Sequence, residues 1–322
     1  MEPETGTARA RPRVSTIVVL FNSAEYVEAC VRALGAVTYP DLEVILVDNG
    51  SDDSSAELAR EVAARVGLSC SISVLAENSG FARANNHGYE LATGEIILLV
   101  NPDAELYPDA VEALVDAFED PTVGVCGCKL YYPDRKTLQH TGGYVRDNGL
   151  SMHYGVDEPD EGQYEEMRDV AYVTGAALAV RSELFERVGM LDPGYYPAYF
   201  EETELCLSAR RLGHRVVYVP GARVVHHEAT TTGKFSERYY YLYHKNRIRF
   251  LLKNFSWSFL LNRSLPMEEA WLGMIEAWEQ AVPLNKAYLV NLLNLPKILL
   301  ARRRLERSLR APRLEDTVSH FE

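Results

Sequence analysis

Residues 43–53 read EVILVDNGSDD, an aliphatic run that passes straight into polar and glycine positions. β-branched and aliphatic side chains suit a pleated strand. Asn, Asp, Gly and Ser suit the turn that leaves one. The stretch therefore reads as a strand, Glu43–Val47, ending in a loop. Asp52–Val66 follows, with capping residues, Glu57 and an Ala/Leu/Val face, and is expected to be a helix. The same unit recurs on both sides. Val14–Leu20 (VSTIVVL) reads as a strand before a helix over Ser23–Leu34 with Ser23 as its cap. Ser71–Leu75 and Glu95–Val100 read as strands flanking a helix from Phe81 to Ala92 that Gly94 terminates. Strands that alternate with helices imply an α/β fold whose mainly parallel sheet is covered on both sides.

In such sheets ligands bind beyond the carboxyl ends of the strands. Those ends carry Phe21-Asn22, Asp48 to Asp53, Glu77-Asn78-Ser79-Gly80 and Asn101-Pro102-Asp103. Any one cluster is ordinary turn chemistry, but four on one rim indicate a site. The Rossmann glycine fingerprint and the P-loop pattern are both absent. A bound diphosphate would then be neutralised by a hard divalent cation on acidic oxygens, with Asp103 as the natural ligand.

The chain has 322 residues, 47% of them hydrophobic and 25% charged, an ordinary globular composition with length for about two folding units. Its 33 Lys+Arg and 46 Asp+Glu give a net charge of -13, unevenly spread: -19 over residues 1–233, +8 over 234–310 and -2 over the last twelve. An acidic body does not suit a nucleic-acid binder, which needs a basic field. The basic segment mixes Arg with Leu and aromatics, as at an anionic lipid surface. The competing account is a helical appendage packed on the rest of the chain or on a second subunit, as in a homodimer. Cys30, Cys70, Cys126, Cys128 and Cys206 are scattered and odd in number, and read as reduced thiols of a cytoplasmic protein. Residues 1–13 read as a disordered tail, and no apolar run approaches about 18 residues, so the expectation is a protein that meets a membrane only peripherally, at its cytoplasmic face.

The succession Ile17 to Asn22, Val47 to Asp53, Asn78 to Ala82 with Asn85-Asn86, and Leu99 to Asp103 resembles the nucleotide-sugar half of family 2 inverting glycosyltransferases, which have the GT-A fold. The resemblance continues through Val173 to Ala176, Gly189 to Asp192, Tyr199 to Leu205 and His226-His227. It is closest to rhamnosyltransferase-like enzymes of bacterial cell-surface polysaccharide assembly. It implies a GT-A domain over 14–232, with a nucleotide-sugar half (14–105) and an acceptor half (106–232), then a helical C-terminal region, 233–322. It implies donor contacts from Phe21, Asn22, Asp48, Asn78, Gly80, Arg83 and Asn85. Asp103 matches the last acid of the family's Asp-x-Asp metal motif, with Asn101 in place of the first, and His226 completes a site for Mg2+ or Mn2+. Glu202 stands where the family places its catalytic base, with Glu201 beside it. Acids also favour any helix N-terminus, where the dipole suits them. Gly175, Tyr195 and Tyr196 are expected to frame the acceptor sugar.

The expected reaction is a single displacement, in which a sugar passes with inversion from a nucleoside diphosphate, first choice dTDP-rhamnose, to a hydroxyl of a glycan or lipid-linked glycan. A catalytically silent nucleotide-sugar binding module is the rival reading, raised by Asn101 and by Glu202 where aspartate is usual. A nucleotidyltransferase would need a glycine-rich basic loop where Phe21 to Glu25 stands. Helices are further expected over Asp109–Phe118, Phe235–Leu252, Met267–Ala281 and, broken at Pro296, Ala287–Leu309.

Overall fold

A computed structural model of the chain describes residues 11–227, 236–311 and 313. The first hundred residues alternate as the sequence indicates: β1 (Val14–Leu20), α1 (Ala24–Gly35), β2 (Leu42–Asp48), α2 (Ser55–Val66), β3 (Cys70–Val74), α3 (Phe81–Leu91) and β4 (Ile96–Val100). β1 lies between β2 and β4, parallel to both, and β2 pairs in parallel with β3. Alternate residues of β1 serve opposite layers. Ile17 and Val19 join one buried cluster, whereas Val14, Val18 and Leu20 join the other. β4, IILLV, is buried throughout, as a strand covered on both faces requires.

The second half adds β5 (Ala104–Leu106), α4 (Ala110–Ala117), β6 (Val123–Tyr131), β7 (Leu138–His140), β8 (Gly143–Val145), β9 (Ser151–His153), β10 (Arg168–Asp169), β11 (Ala177–Arg181), α5 (Ser182–Arg187), α6 (Glu201–Arg211) and β12 (Arg215–His226). β11 inserts antiparallel between β4 and β6, and β12 runs parallel to β6, so one sheet of order β10-β12-β6-β11-β4-β1-β2-β3 spans both halves. β8 and β9 form a separate hairpin.

Two local expectations differ. Ser23 precedes α1 without making a side-chain cap bond. Gly94 does not end α3, which stops at Leu91. A Cβ on Gly94 would lie 2.6 Å from the Ser15 nitrogen, so glycine there permits close approach to β1.

Beyond the sheet lie α7 (Glu237–Asn254) and shorter helices at Leu265–Leu272, Ile275–Glu279, Ala281–Leu293 and Leu295–Leu309. The expected helix over Met267–Ala281 is interrupted after Leu272, and the next breaks at Asn294, with Pro296 in the first turn of the last helix, where its missing N–H leaves no bond unmade. Phe250, Phe255, Phe259, Leu305 and Leu309 share the buried cluster of Ile17 and Leu99, so these helices pack on one face of the α/β layer. The expected boundary at 232/233 and residues 1–10 of the expected tail lie outside the described residues. Arg11 pairs with Glu112 and Arg13 with Glu43, tying that end to the domain. Among the described residues no helix is long and apolar enough to cross a membrane. All five cysteines are free. Four are buried, and burial pushes the Cys30 thiol up to about 12, which leaves it inert.

Candidate active site

A cavity of about 560 Å³ opens at the carboxyl ends of the central strands. Its wall includes Phe21 after β1, Asn49 after β2, Asn78 before α3 and Asn101 and Asp103 after β4, so all four rim clusters contribute. The opposite wall is Tyr172, Thr174 and Gly175 before β11, Pro197 to Glu202 at the start of α6, and Arg238, Tyr239 and Tyr243 of α7.

Much of the rim is turn chemistry that stiffens the loops. Asn22, at φ +48°, donates its backbone N–H to Ser51 Oγ (3.1 Å) and accepts from the Asp52 nitrogen at 2.8 Å. Asn49 accepts from both the nitrogen and the hydroxyl of Ser79 at 2.9 Å and donates to Asn78 Oδ1 at 3.1 Å. Asp48 Oδ1 accepts from the Ser51 nitrogen at 3.0 Å, but its Oδ2 is buried without a partner. A buried carboxylate oxygen left unpaired is costly.

The acids of α6 enter the cavity from a strained turn. Tyr199 and Phe200 are at φ +85° and +78°, a region that bulky residues rarely adopt and that costs about 1–3 kcal/mol each. Neighbouring helices hold this turn in place. Asn246 of α7, fully buried, donates to the carbonyls of Tyr195, Ala198 (2.7 Å) and Tyr199 (3.1 Å). Lys245 reaches the carbonyl of Tyr196, and the Phe81 nitrogen donates to the Pro197 carbonyl at 2.8 Å. The turn delivers Glu201, only 2% exposed with neither carboxylate oxygen hydrogen-bonded, and Glu202, half-buried with one long bond of 3.4 Å from the Thr203 hydroxyl. Burial, with the Glu202 charge second, pushes the Glu201 carboxyl well above its ordinary range. Burial likewise raises Glu202. Raised carboxyl groups facing a cavity suit proton transfer near neutral pH.

A second pair sits across the rim. The end of β12 pairs with β5 in the register His226↔Ala104, and the His227 nitrogen donates to the Asp103 carbonyl at 3.0 Å, which brings His226 Nε2 to 3.3 Å from Asp103 Oδ1. Gln139 fixes the histidine tautomer. Its amide nitrogen donates to the His226 carbonyl at 3.2 Å, so its Oε1, 2.6 Å from Nδ1, accepts the Nδ1 proton. His226 Nε2 and Asp103 Oδ1 thus stand side by side in a buried pair, a nitrogen and a carboxylate oxygen that one cation can bridge. These donors fit a hard or borderline divalent metal, and an oxygen acceptor behind the imidazole, here Gln139 Oε1, orients a metal-binding histidine. His227 points elsewhere, 3.0 Å from Glu105 Oε1. Among the described residues no three His, Cys, Asp or Glu side chains converge on a metal-sized site.

Residues 15–189 match the glycosyl transferase family 2 profile, over half of the chain. The chain belongs to that family. It is 31% identical over 234 residues to the O-antigen biosynthesis protein RfbC of Myxococcus xanthus, covering 69% of this chain but only 18% of that much longer protein. It is 26% identical over 260 residues to an N-acetylglucosaminyl-diphospho-decaprenol L-rhamnosyltransferase of Mycobacterium tuberculosis, covering 73% of this chain and 82% of the relative. Among solved structures, the mannosyltransferase PcManGT of Pyrobaculum calidifontis, in complex with GDP-Man and Mn2+, superposes with a TM-score of 0.57 at 20% identity, covering 94% of this chain and 86% of that one. The GT-A fold is thereby shown.

In this glycosyltransferase-family chain the sequence-expected residues divide. Phe21, Asn78, Asn101, Asp103, Gly175, Glu201, Glu202 and His226 all line the cavity. Gly80 acts through its backbone: at φ +86°, with a Cβ that would fall 2.7 Å from the Tyr196 ring, it lets the Tyr196-Pro197 turn dock on α3. Asn22, Asp48, Arg83 and Asn85 stand outside the lining. Arg83 is exposed, and buried Asn85 bonds the Phe81 carbonyl of its own helix. Tyr195 departs most from expectation. It is completely buried and its hydroxyl donates to Glu204 at 2.5 Å, so its ring cannot stack on a sugar. Tyr196 is exposed beside Gly80, outside the lining. The tyrosines that line the cavity are instead Tyr26, Tyr132, Tyr172, Tyr199, Tyr239 and Tyr243. Tyr239 and Tyr243 stack, with ring planes 12° apart. Asn49, Gln139, Arg238 and Asn246 were also missed. Asn49 had a signal, since it lies inside the DNGSDD cluster; Gln139, Arg238 and Asn246 had none, because their partners are 87 or about 50 residues distant or unspecified in sequence.

Proposed function

We propose that the chain is an inverting, metal-assisted glycosyltransferase that moves a sugar from a nucleoside diphosphate to a hydroxyl of a glycan or lipid-linked glycan in cell-surface polysaccharide assembly, with dTDP-rhamnose the first donor to test. The observation that carries this reading is the pair of buried Glu201 and half-buried Glu202, both raised and largely without hydrogen-bond partners, across one cavity from Asp103 and His226. The Myxococcus and Mycobacterium relatives support the setting and the sugar. The mannosyltransferase complex supports a divalent cation.

In this reading residues 14–105 hold the donor. Asp48, just behind the Asn49 wall, is the expected partner of the base, with Phe21 alongside, and Asn78 and Asn101 border the sugar and diphosphate. Among the described residues Arg238 is the single Lys or Arg of the lining, and it balances diphosphate charge. Asp103 and His226 would hold Mg2+ or Mn2+, which when bound supplies charge neutralisation for the departing diphosphate. Residues 106–232 and α7 hold the acceptor beside Gly175, Tyr199, Tyr239 and Tyr243. Glu202 takes the proton of the acceptor hydroxyl as its oxygen forms a bond to the anomeric carbon, and the bond from that carbon to the diphosphate oxygen breaks on the opposite face. The products are the inverted glycoside and a nucleoside diphosphate. General-base assistance of this kind is worth about 100- to 10,000-fold. Glu201 stays protonated next to it, so the two carboxyls do not share a buried double negative charge.

A screen of UDP-, dTDP-, GDP- and CMP-sugars with Mg2+, Mn2+ or EDTA, reading thermal stabilisation and nucleoside diphosphate release, tests this. Selective, EDTA-sensitive stabilisation with slow release is expected for one donor. Stabilisation without release in any metal would favour a silent binding module, and neither would contradict both readings.

A further inference from the structure

The two C-terminal helices turn an unusual face outward. On Ala281–Leu293 the buried residues Pro283, Leu284, Ala287 and Asn291 lie towards α7, where Asn291 donates to the Lys245 carbonyl at 2.9 Å. The opposite stripe is Val282, Asn285, Lys286, Leu289, Leu292 and Leu293, all exposed, with Leu292 and Leu293 at 67% and 71%. On Leu295–Leu309 the buried stripe is Ile298, Arg302, Leu305 and Leu309, and the outward one is Lys297, Leu300, Arg303, Arg304 and Arg307. Nearby, Trp278 is 73% exposed. A helix on a soluble surface places polar residues of both signs outward. Here the outward faces are aliphatic on one helix and basic on the next. Between residues 281 and 311 seven basic residues stand against one acid, Glu306, which Arg302 engages at 3.2 Å.

We propose that this face seats the chain on an anionic lipid surface. Exposed leucines beside arginines, with an indole at their margin, match the acyl boundary and headgroup layer of such a surface. A second copy matches poorly. A two-fold dimer would set the patch against itself, basic against basic. Residues 1–233, at a net charge of -19, would be held away from the same lipid, which orients the molecule with these helices down. The arrangement also has a consequence for the cavity. α7 packs against Ala281–Leu293 on one side and supplies Arg238, Tyr239 and Tyr243 to the cavity on another, so two packed helices, with axes about 8–10 Å apart, separate lipid from active site. This inference is independent of which reaction the cavity performs.

The test is co-sedimentation of the purified full chain with phosphatidylcholine vesicles and with vesicles containing phosphatidylglycerol, run beside light scattering of the protein alone. The wild type is expected to bind only the anionic vesicles, and less so in high salt. Leu292→Glu/Leu293→Glu and Arg303→Glu/Arg304→Glu should each weaken binding by about tenfold or more, with melting temperatures unchanged because all four side chains are exposed. No binding of the wild type to anionic vesicles would overturn the proposal. So would binding that both variants retain. A wild-type dimer that Leu292→Glu/Leu293→Glu converts to a monomer, without vesicle binding, would assign the face to a second copy instead.

Discussion

Within one turn of α6 the chain places Glu201, Glu202 and Glu204, and their fates differ. Glu204 accepts from Tyr195 at 2.5 Å, from Asn254 at 2.8 Å and from Lys253, which itself lies 2.6 Å from Asp192; Arg249 meets the same aspartate at 2.8 Å. Each acid in this network is matched, and the Lys253 and Arg249 charges hold the Asp192 carboxyl below its ordinary range despite burial. Glu201, three residues earlier on the same helix turn, has no partner for either oxygen. The helix dipole favours all three equally, so the dipole does not explain the contrast. A protein that can neutralise a buried acid so completely at Glu204 has left Glu201 without a partner and Glu202 with a single long bond where a cavity opens. The matched acid is scaffold, and the pair at the cavity is where chemistry is expected.

The contrast can be broken at several points. The largest effect on folding should come from Lys253→Met, which strands Glu204 and Asp192 in the interior and should cost about 3–5 kcal/mol in chemical denaturation. Its pH dependence has a defined sign. Asp192 is lowered in the fold, so its contribution is present above the ordinary aspartate pKa and is lost as pH falls through the lowered value. Lys253→Met should therefore lose most stability at neutral pH and converge on the wild type in acid. Gln139→Leu frees the His226 ring to adopt the other tautomer and should weaken Mn2+ binding, read by electron paramagnetic resonance, about 10- to 100-fold, while Gln139→Glu, which still accepts from Nδ1, should retain more of it. Asn246→Leu releases the carbonyls behind Tyr199 and Phe200 and should lower kcat about tenfold with little change in donor KM. The smallest effect is opposite in sign to the first. Glu201→Gln should stabilise the fold by about 1 kcal/mol. Because Glu201 is raised, its carboxyl favours the folded state below the ordinary glutamate pKa and loses that contribution as pH rises through the raised value, so the advantage of glutamine should grow with pH. A Glu201→Gln variant less stable than the wild type at alkaline pH would mean that its oxygens have partners.

How legible the molecule was in its sequence follows from the range of the interactions. β1 to β4 and their helices announce themselves through continuous aliphatic runs and adjacent turn residues, and their bounds fall within a residue or two of expectation, except that α2 begins at Ser55 rather than Asp52. β6 to β12 were not distinguished as strands, although Val123–Tyr131 is buried throughout, because the glycine and cysteine positions of VGVCGCKLY mute the strand signal. At the site, strand-end residues such as Asn78 and Asp103 were readable because topology alone sends them to the rim. Tyr195 was misjudged for the opposite reason: whether a tyrosine near a motif faces a cavity or the core depends on Lys253, Arg249 and Glu204, and two of these come from a helix about 50 residues away. Gln139, Arg238 and Asn246 are invisible on the same ground, since each acts through what the fold carries to it.

The most direct test compares Glu202→Gln with Glu204→Gln for release of nucleoside diphosphate from a bound donor, with donor-induced thermal shift measured on the same samples. Glu202→Gln should lose about 100-fold or more of the turnover while keeping its melting temperature and its donor shift. Glu204→Gln should melt earlier and, below that temperature, turn over near the wild-type rate. Full turnover in Glu202→Gln would contradict the claim that the unpartnered acids of α6 perform the chemistry and the partnered one holds the fold.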